Sequence, residues 1–572
     1  MKSYVKKYGL SLFPGITILF FLSSISLGLF STWLPAFGYL PVIGQNHFTL
    51  SPWIDLFNHP VMLGSIRATI ISGWGSTLLT MGITLLLFAS SYQQGFWKIL
   101  QKTLAPLLAI PHAAFAIGFL FLVSPSGWIL RILSPAITGF DIPPDWGIIK
   151  DSYGISLMLV LTLKELPFLV LMSLGALSQV DVKRSLAVGR SLGYNTGQVW
   201  LKVIVPQVYP KIKLSIFAIL AYSLSVVDIA QILGPTLPPT MAVNVFRWFA
   251  DPDLSYRLIG ASGATLIFIL VLSSIILLYI LEIIFKKLMG YWLVNGKRTA
   301  YLYRVRPLGN VLVTVIVGFS LLAMVVLTIW SFTWRWRFPD ILPRDWSLRF
   351  WTRGFDQIGI PAFNSLSIGL VSSLIAIIIV IGCLENELAV SRKGRRIDTN
   401  KIMWMIYLPL LVPQIAFLFG VQMILITFRW DGLWLSLVWS HLLFVLPYVF
   451  LTLGPVYRSY DQRMSQVAIT LCGSPLKAFF RIKLPILLRP LLFSLAVGFS
   501  VSIAQYLPTL FIGAGRFDTI TTDAVSLASG SDRRIVAVYA LCQFLGPFLV
   551  FLAALLIPRI LFKNRKAMQL ST

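Results

Sequence analysis

Long apolar segments alternate with short polar ones along the whole chain. A helix needs roughly 20 apolar residues to cross a bilayer core about 30 Å thick. Twelve segments of this kind are centred on residues 13–33, 63–89, 103–124, 154–177, 210–234, 258–285, 310–332, 363–384, 403–427, 433–455, 489–513 and 535–562. The pattern predicts an all-α polytopic membrane protein with about twelve transmembrane helices.

The first six segments and the last six repeat each other. Residues 110–118 (IPHAAFAIG) match residues 412–420 (VPQIAFLFG), and residues 165–168 (ELPF) match residues 445–448 (VLPY). We therefore predict a first half at 1–286, a polar connector at 287–308 and a second half at 309–572. Because each half holds an even number of spans, the halves have the same orientation and form a parallel 6+6 repeat.

The composition is that of a membrane protein, and it argues against nucleic-acid binding as the reason for the positive charge. The 572 residues are 57% hydrophobic and 12% charged, whereas soluble domains are roughly 25% charged. A net charge of +26 could indicate a nucleic-acid partner, but there is no soluble basic domain to bind one. The three cysteines have no metal-site or disulfide spacing, so we predict no metal site.

Basic residues predict the topology. Lys and Arg accumulate in cytoplasmic loops, and most of them fall on one side of the membrane if both termini are cytoplasmic. The loop at 333–362 is the exception, because it places Arg335, Arg337, Arg344, Arg349 and Arg353 on the outer side. The N-terminal apolar segment lacks a cleavage pattern, so we expect it to be the first membrane helix rather than a signal peptide. Outer tryptophans such as Trp346 and Trp351 are expected to anchor at the interface, with contact to a binding protein as the alternative.

Two polar, basic islands lie between the fourth and fifth segments of each half. They are 187–206 (AVGRSLGYNTGQVWLKVIVP) and 466–485 (QVAITLCGSPLKAFFRIKLP). A glycine permits the backbone to turn at a helix end, and Asn195-Thr196 or Gly473-Ser474-Pro475 can begin a second helix. Each island is therefore predicted to be a helix–turn–helix.

The second helix of each island is expected to have an apolar face. That face would hold Val199, Trp200 and Val203 in the first island and Phe479, Phe480 and Ile482 in the second. Lys477, Arg481 and Lys483 are expected to remain in water. Pro206 and Pro485 are expected where the chain turns into the next membrane helix.

The spacing of the islands resembles the cytoplasmic EAA loop of binding-protein-dependent ABC transporter permeases. That pattern is E-A-A, three residues, G, nine residues, I-x-L-P. The second island keeps Ala468, Ile482, Leu484 and Pro485, with Gln466, Val467 and Cys472 in place of Glu, the first Ala and Gly. The first keeps Gly193 and Pro206 and has Ala187, Val188 and Gly189 in the E-A-A positions. Neither island has the acidic residue of that pattern, because Ala187 and Gln466 occupy its position.

The chain is most similar to fused permeases of the thiamine and ferric-iron import type, which carry both halves in one polypeptide. The resemblance implies the permease subunit of a type I importer in the bacterial inner membrane. The EAA-like loops would be 178–209 and 456–488, each docking on one of two cytoplasmic ATPase subunits, and a periplasmic solute-binding protein would deliver the solute. The coupling residues would be Ala187, Gly189, Gly193, Trp200, Pro206, Gln466, Ala468, Cys472, Gly473, Phe479, Phe480 and Pro485.

The chain is not expected to be an enzyme or to bind a cofactor. The phosphate-binding pattern GxxxxGK[ST] is absent, and 296–299 (GKRT) lacks its upstream glycine and its hydroxyl residue next to the lysine. ATP and Mg²⁺ would be bound by the partner ATPase.

Polar residues inside apolar segments are the candidates for the translocation path. Helix breaks are tolerated in a membrane where they face protein or a water-filled cavity, and intramembrane charges usually face a cavity or a partner. The candidates are Pro111, His112, Pro413, Gln414, Lys164, Asp228, Gln231, His441, Gln505 and Tyr506. Asp228 could meet a cationic solute or pair with Lys164, and His441 could be structural or functional.

Two other classes of transporter compete with the importer. An ion-gradient-driven secondary transporter would also have a central connector, but it does not require paired basic loops. An ABC exporter would need no binding protein. The solute itself is left open by the sequence: thiamine, ferric iron or another small polar molecule would suit.

Overall fold

The computed structural model describes residues 9–91, 107–296, 306–391 and 399–563. The N-terminal lysines, the basic loop at 392–398, residues 297–305 of the polar connector and the end of the C-terminal tail lie outside the described residues. The same holds for the side chain of Arg353.

The first half is helical almost throughout its described part. Its α-helices are α1 (Leu12–Ala36), α2 (Ser51–Asn58), α3 (Met62–Ser91), α4 (His112–Val123), α5 (Trp128–Leu133), α6 (Ile155–Leu177), α7 (Val182–Ser191), α8 (Thr196–Val199), α9 (Val205–Ser225), α10 (Asp228–Leu233), α11 (Met241–Ala250) and α12 (Tyr256–Val294). A π-helical turn at Trp200–Ile204 joins α8 to α9. Short 3₁₀ turns lie at Gly9–Ser11 and Pro41–Ile43.

The second half follows the same order and adds a small hairpin. Its α-helices are α13 (Arg306–Ser331), α14 (Arg349–Ser391), α15 (Thr399–Leu411), α16 (Gln414–Thr427), α17 (Trp434–Ser459), α18 (Gln462–Cys472), α19 (Pro475–Ala478), α20 (Leu484–Ile486), α21 (Leu488–Ile503), α22 (Leu507–Gly513), α23 (Ile520–Ala528) and α24 (Arg533–Leu561). A π-helical turn spans Phe479–Lys483. Strands β1 (Thr333–Arg335) and β2 (Asp345–Trp346) pair antiparallel.

The prediction of an all-α polytopic membrane protein is confirmed. Within the described ranges, ten helices are long and apolar enough to cross a membrane. Two bent pairs raise the number to twelve if each pair is one span. One pair joins Ile402–Leu411 to Gln414–Thr427 at 85°, and the other joins Pro475–Ile486 to Leu488–Ile503 at 74°.

Three predicted boundaries were wrong. The segments 210–234 and 489–513 are not single helices, because α9 ends at Ser225 and α21 ends at Ile503, and a short helix follows each break. The loop predicted at 333–362 is a loop only in part, since α14 already begins at Arg349, where the Ser347 hydroxyl accepts a bond from the Arg349 amide. The length of an apolar segment does not reveal a break between two apolar helices. It also does not reveal a helix whose first turn is polar.

From the islands onward, equivalent elements of the halves keep a constant distance in sequence. The π turns begin at Trp200 and Phe479, and α10 and α22 begin at Asp228 and Leu507, a separation of 279 residues in both cases. Helices α11 and α23 begin at Met241 and Ile520 with the same separation. The repeat therefore extends from the islands through the helix breaks that follow them.

The halves interlock through their first helices. Helix α1 packs on α16 of the other half where Gly28 meets Gly420, and the Gly420 amide donates to the Thr32 hydroxyl at 3.0 Å. Helix α13 packs in turn on α4, where Gly118 lies against the backbone of Ala323. Small residues permit helix backbones to approach closely in a membrane, where packing replaces the hydrophobic effect as the driving force.

Replacing Gly420 by alanine should lower the stability of the whole bundle. A β-carbon at this position would lie 1.9 Å from the Gly28 carbonyl oxygen, so α1 and α16 must separate. We expect a loss on the order of 1–3 kcal/mol, measured as a lower Tm of the purified protein in detergent. Gly82→Ala is the matched control because its β-carbon meets nothing within 4 Å. Equal Tm values for the two variants would contradict this packing.

Candidate functional site

A cavity of about 190 Å³ lies between the two halves. Its walls come from α4, α6 and α9 on one side and from α15, α16, α17 and α21 on the other. The polar residues that line it are His112, Lys164, Glu165, Tyr222, Ser225, Asp228, Gln414, Tyr448, Thr452, Ser500, Gln505 and Tyr506. The rest of the lining is apolar, apart from prolines at the helix breaks.

The break at Pro111 forms one side of this cavity. Pro111 has extended backbone dihedrals (φ −64°, ψ 154°) immediately before α4. The carbonyls that precede it have lost their helical partners, and such groups are costly inside a membrane. The Lys164 ammonium donates to the Ile110 carbonyl and, at 3.5 Å, to the Leu107 carbonyl. Lys164 therefore stabilises the broken helix end.

His112 faces a carboxylate rather than Lys164. Its Nε2 lies 3.6 Å from Glu165 Oε1, and its ring centroid lies 5.2 Å from that of Tyr222. Lys164 and Glu165 thus contact different partners, as expected for adjacent helical residues that point roughly 100° apart. Both groups that meet His112 line the cavity.

Asp228 is the second carboxylate of the cavity. It begins α10, directly after the break that ends α9. Among the described residues, Asp228 makes no ion pair with Lys164, whose ammonium donates to backbone carbonyls. The pairing with Lys164 that the sequence allowed is therefore not formed.

The second half places amides and a phenol at the matching breaks. Gln414 begins α16 after the Pro413 break, and its Nε2 donates to Gln505 Oε1 at 3.4 Å. The Tyr506 hydroxyl donates to Gln231 Oε1 at 2.8 Å. Because Gln231 belongs to the first half, this bond joins the two halves at the cavity. Gln231 itself does not line the cavity.

His441 is buried behind the cavity wall. Its Nδ1 lies 2.8 Å from the Ser502 hydroxyl and its Nε2 lies 3.1 Å from the Thr509 hydroxyl. These hydroxyls lie on either side of the break between α21 and α22. His441 therefore holds the broken helix together and is not part of the lining.

Each island has the helix–turn–helix structure. Gly193 (φ +81°) and Gly473 (φ +64°) adopt the left-handed conformation between the paired helices. Asn195 then caps α8 in a capping box with Gln198. Cys472 was expected to replace the turn glycine, but it is the last residue of α18, and Gly473 makes the turn. The turn is shifted by one residue, which a fixed motif spacing cannot reveal.

Small residues let the paired helices of each island pack closely. A β-carbon on Gly189 would lie 2.3 Å from Val199 Cγ2, so only glycine fits beside this valine. The equivalent positions in the second island are Ala468 and Ala478, and both are buried.

The expected apolar docking face was partly wrong. Trp200 is only 3% exposed and stacks on Phe88 of α3 at 6.2 Å, and Val199 is buried as well. The exposed apolar side chains lie mainly on the first helix and the turn. They are Val188, Leu192 and Val203 in the first island and Val467, Leu471, Leu476 and Phe480 in the second.

Lys483 was expected in water but is buried. It forms an ion pair with Glu385 of α14 and lies over the ring of Tyr457 at 4.3 Å. In the first island the basic link is different, because Lys202 donates to the Trp292 carbonyl at 3.1 Å and the Asn295 carbonyl at 3.0 Å. Each island is thus fastened to a different membrane helix, α14 for the second and α12 for the first.

One proline in each island, Pro206 or Pro485, follows the π turn. Pro206 was expected at a bend, but helix continues from Thr196 to Ser225. A proline cannot donate to the residue four positions earlier and its ring crowds that carbonyl, and the wider π turn at Trp200–Ile204 provides room. Pro485 does precede a bend, since the 74° change of direction occurs at Leu487.

The comparison with known proteins identifies the family. No family model matches the chain. The chain is 33% identical over 532 residues to the inner membrane ABC transporter permease protein YnjC of Escherichia coli (strain K12). The matched residues make up 91% of this chain and 94% of that protein. The chain belongs to the ABC transporter permeases. It is also 23% identical over 177 residues to the spermidine/putrescine transport system permease protein PotC homolog of Mycoplasma genitalium, covering 31% of the chain and 62% of that protein.

This permease brings most of the predicted path residues together. The cavity is lined by Pro111, His112, Lys164, Asp228, Pro413, Gln414, Gln505 and Tyr506, whereas Gln231 and His441 support it from outside. The sequence did not single out Glu165 as a path residue, nor Tyr222, Tyr448 or Thr452. Glu165 and Tyr448 lie in the repeated ELPF and VLPY motifs, and this repetition could have marked them as cavity residues.

Replacing Lys164 by methionine should destabilise the break at Pro111. The substitution keeps the length of the side chain but leaves the Ile110 and Leu107 carbonyls without their donor, which costs roughly 1–3 kcal/mol. The measurement is the Tm of the purified permease in detergent. Lys211→Met is the control, because Lys211 is exposed and donates to the Gln179 side chain. An unchanged Tm in Lys164→Met would mean that the broken helix end does not depend on this ammonium.

Proposed function

We propose that this chain is the membrane-spanning subunit of an ATP-driven importer of a small polar solute in the bacterial inner membrane, with both permease halves fused in one polypeptide. The observation that carries the proposal is the pair of islands. They occupy equivalent places in the repeat, follow membrane helices that run in the same direction, and each exposes apolar side chains on a short helix–turn–helix.

The exposed apolar side chains of each island would dock in a groove on one cytoplasmic ATPase subunit, so the chain would recruit two copies. An amphipathic helix that inserts its apolar face in a groove is a common mode of recognition. Closure of the ATPases on ATP would move the islands and switch the cavity between outward and inward access. ATP and Mg²⁺ would remain on the partner, and the chain's termini would be cytoplasmic.

The lining of the cavity favours a cationic solute. Glu165 and Asp228 bring two carboxylates to it, while the Lys164 ammonium is engaged with backbone carbonyls. Tyr222, Tyr448 and Tyr506 add aromatic surface, which attracts organic cations through the ring face. A soluble periplasmic binding protein would deliver the solute.

An acidic residue at Leu471 should uncouple ATP hydrolysis from transport. Leu471 is 78% exposed at the end of α18, so Leu471→Asp would bury a charge in the apolar groove without disturbing the fold. We expect uptake in proteoliposomes with the ATPase to fall at least tenfold. Thr470→Asp, at the neighbouring exposed position, is the control. Wild-type uptake in Leu471→Asp, or transport without any ATPase, would contradict the proposed coupling.

Neutralising Asp228 should weaken the solute site. Asp228→Asn keeps the shape of the side chain but removes one of the two cavity carboxylates. We expect KM for radiolabelled thiamine uptake to rise roughly tenfold, in line with the loss of one charge-assisted contact. Asp253→Asn, on an exposed loop, serves as the control. An unchanged KM, with uptake present, would show that the solute is not held by this carboxylate.

A further inference from the structure

A second cavity opens on the side of the bundle where the two halves meet. It has a volume of about 550 Å³, against about 190 Å³ for the solute cavity, and the two have no lining residue in common. One wall consists of Ser23, Ser24 and Leu27 of α1, and the other comes from α16, α17 and the turn between them. We call this cavity the lateral groove. Because α1 belongs to the first half and the other elements belong to the second, a molecule in the groove contacts both halves.

The open side of the lateral groove faces the bilayer. Leu27 and Leu435, which line it, are 53% and 72% exposed on helices that are long and apolar enough to span a membrane. The groove lies at the opposite end of α17 from the second island. The helices that precede the three internal gaps in the described ranges, α3, α12 and α14, instead contact the islands near their ends. The neighbour that the groove meets is therefore lipid.

The inside of the groove is suited to a hydrocarbon chain. Ser23 and Ser24 both donate their hydroxyl protons to the Phe20 carbonyl, at 3.4 and 2.5 Å. The Ser436 hydroxyl donates to the Trp430 carbonyl at 2.8 Å. The remaining lining is apolar apart from the indole nitrogens. Because the hydroxyl protons are already used, the groove offers little to a polar solute, and apolar cavities of this kind do not retain water.

An arginine lies at the rim of the groove. Arg429 is exposed in the turn between α16 and α17, and its neighbours Phe428 and Trp430 both line the groove. Within the described part of the chain Arg429 makes no ion pair. The acid two residues further on, Asp431, lies 3.6 Å from Arg516 instead. The rim therefore carries a positive charge that its nearest acid in sequence does not neutralise.

The turn that carries Arg429 is fixed in a costly conformation. Its φ of +57° is in the left-handed region, which a long side chain seldom adopts. The Arg429 amide donates to the Ile426 carbonyl at 3.0 Å, and the Trp430 amide donates to the Leu425 carbonyl at 2.7 Å. Such backbone strain clusters at ligand-binding sites. A turn that is already ordered also loses less entropy when a ligand binds.

Charge must select the occupant of the groove, because hydrophobicity does not. Lipid tails are as apolar as leucine, so an apolar groove in a bilayer does not distinguish one lipid from another. A basic residue near the membrane surface attracts anionic headgroups, and the guanidinium of an arginine can bind a phosphate through two parallel hydrogen bonds. Exposed Phe428 and Trp430, at 62% and 58%, are the side chains expected at the depth of the headgroups.

We propose that the lateral groove binds one anionic phospholipid, with an acyl chain between α1 and the α16–α17 pair and the phosphate on Arg429. The lipid would form part of the contact between the two halves. It would also contact the helix that reaches the solute cavity, since α16 begins at Gln414 in the cavity wall. The site depends neither on the identity of the solute nor on the direction of transport.

Photo-crosslinking in vesicles tests the acyl chain. The full chain is reconstituted in phosphatidylcholine that contains a small fraction of phosphatidylglycerol with a diazirine in one acyl chain, and the labelled peptides are mapped by mass spectrometry. We expect labels between Ser23 and Leu27 of α1 and between Val421 and Leu425 of α16. Ser23→Phe should lower this yield roughly tenfold, because the ring occupies the space of the chain. Ser26→Phe is the matched control, since Ser26 is exposed on α1 outside the groove and its replacement should leave the yield unchanged.

Replacement of Arg429 tests the headgroup. Arg429→Gln removes the charge and keeps a polar side chain in the turn, so the yield with phosphatidylglycerol should fall roughly fivefold, as for the loss of one basic residue near an anionic surface. Phosphatidylcholine with the same diazirine has no net charge and should label the groove weakly in both proteins. Arg335→Gln, at an exposed arginine of β1, is the control and should not change the yield.

Four results would overturn the proposal. They are equal labelling by the two lipids, labels spread evenly over all lipid-facing helices, no label in the groove, and equal losses in a variant and its control. The Tm of each variant in detergent shows whether it is folded. If Ser23→Phe does not fold, the comparison of Arg429→Gln with Arg335→Gln decides, because both replace exposed side chains.

Discussion

The structure depends on one constraint, that a polar backbone group inside a membrane must find a partner within the protein. Four helix breaks expose such groups, at Pro111, at Pro413, and after α9 and α21. All four lie at the cavity between the halves, where side chains can satisfy them. Lys164 does so for the Ile110 carbonyl, and His441 joins the two sides of the break after α21. The polar character of the cavity is thus a direct consequence of the breaks that form it.

The helices that end at two of these breaks, α9 and α21, also connect the cavity to the islands. In the first half, one continuous helix runs from Thr196 in the island to Ser225 at the cavity. In the second half the path bends by 74° at Leu487 before α21 continues to the cavity. The first island is therefore continuous with the helix that reaches the cavity, whereas the second is separated from it by a bend. The Lys483–Glu385 ion pair fastens the second island to α14.

The spans, the repeat and the islands could be predicted because each depends on local composition or on a motif spacing. Features that depend on a contact with a residue far away in the sequence could not be predicted. Lys483 looks like a solvated cation until Glu385, 98 residues away, is placed beside it. Trp200 looks like a docking residue until Phe88 is stacked on it. The breaks after Ser225 and Ile503 were missed because apolar residues continue on both sides of them.

The two islands are not equivalent, and the difference lies in what they expose. The second island presents four exposed apolar side chains and the first presents three. Each exposed apolar residue that becomes buried contributes roughly 1.5–3 kcal/mol before the costs of association. Two identical ATPase subunits would therefore bind the islands with different strengths. The second island is anchored by a buried ion pair and is richer in exposed apolar surface, whereas the first is continuous with the helix that reaches the cavity.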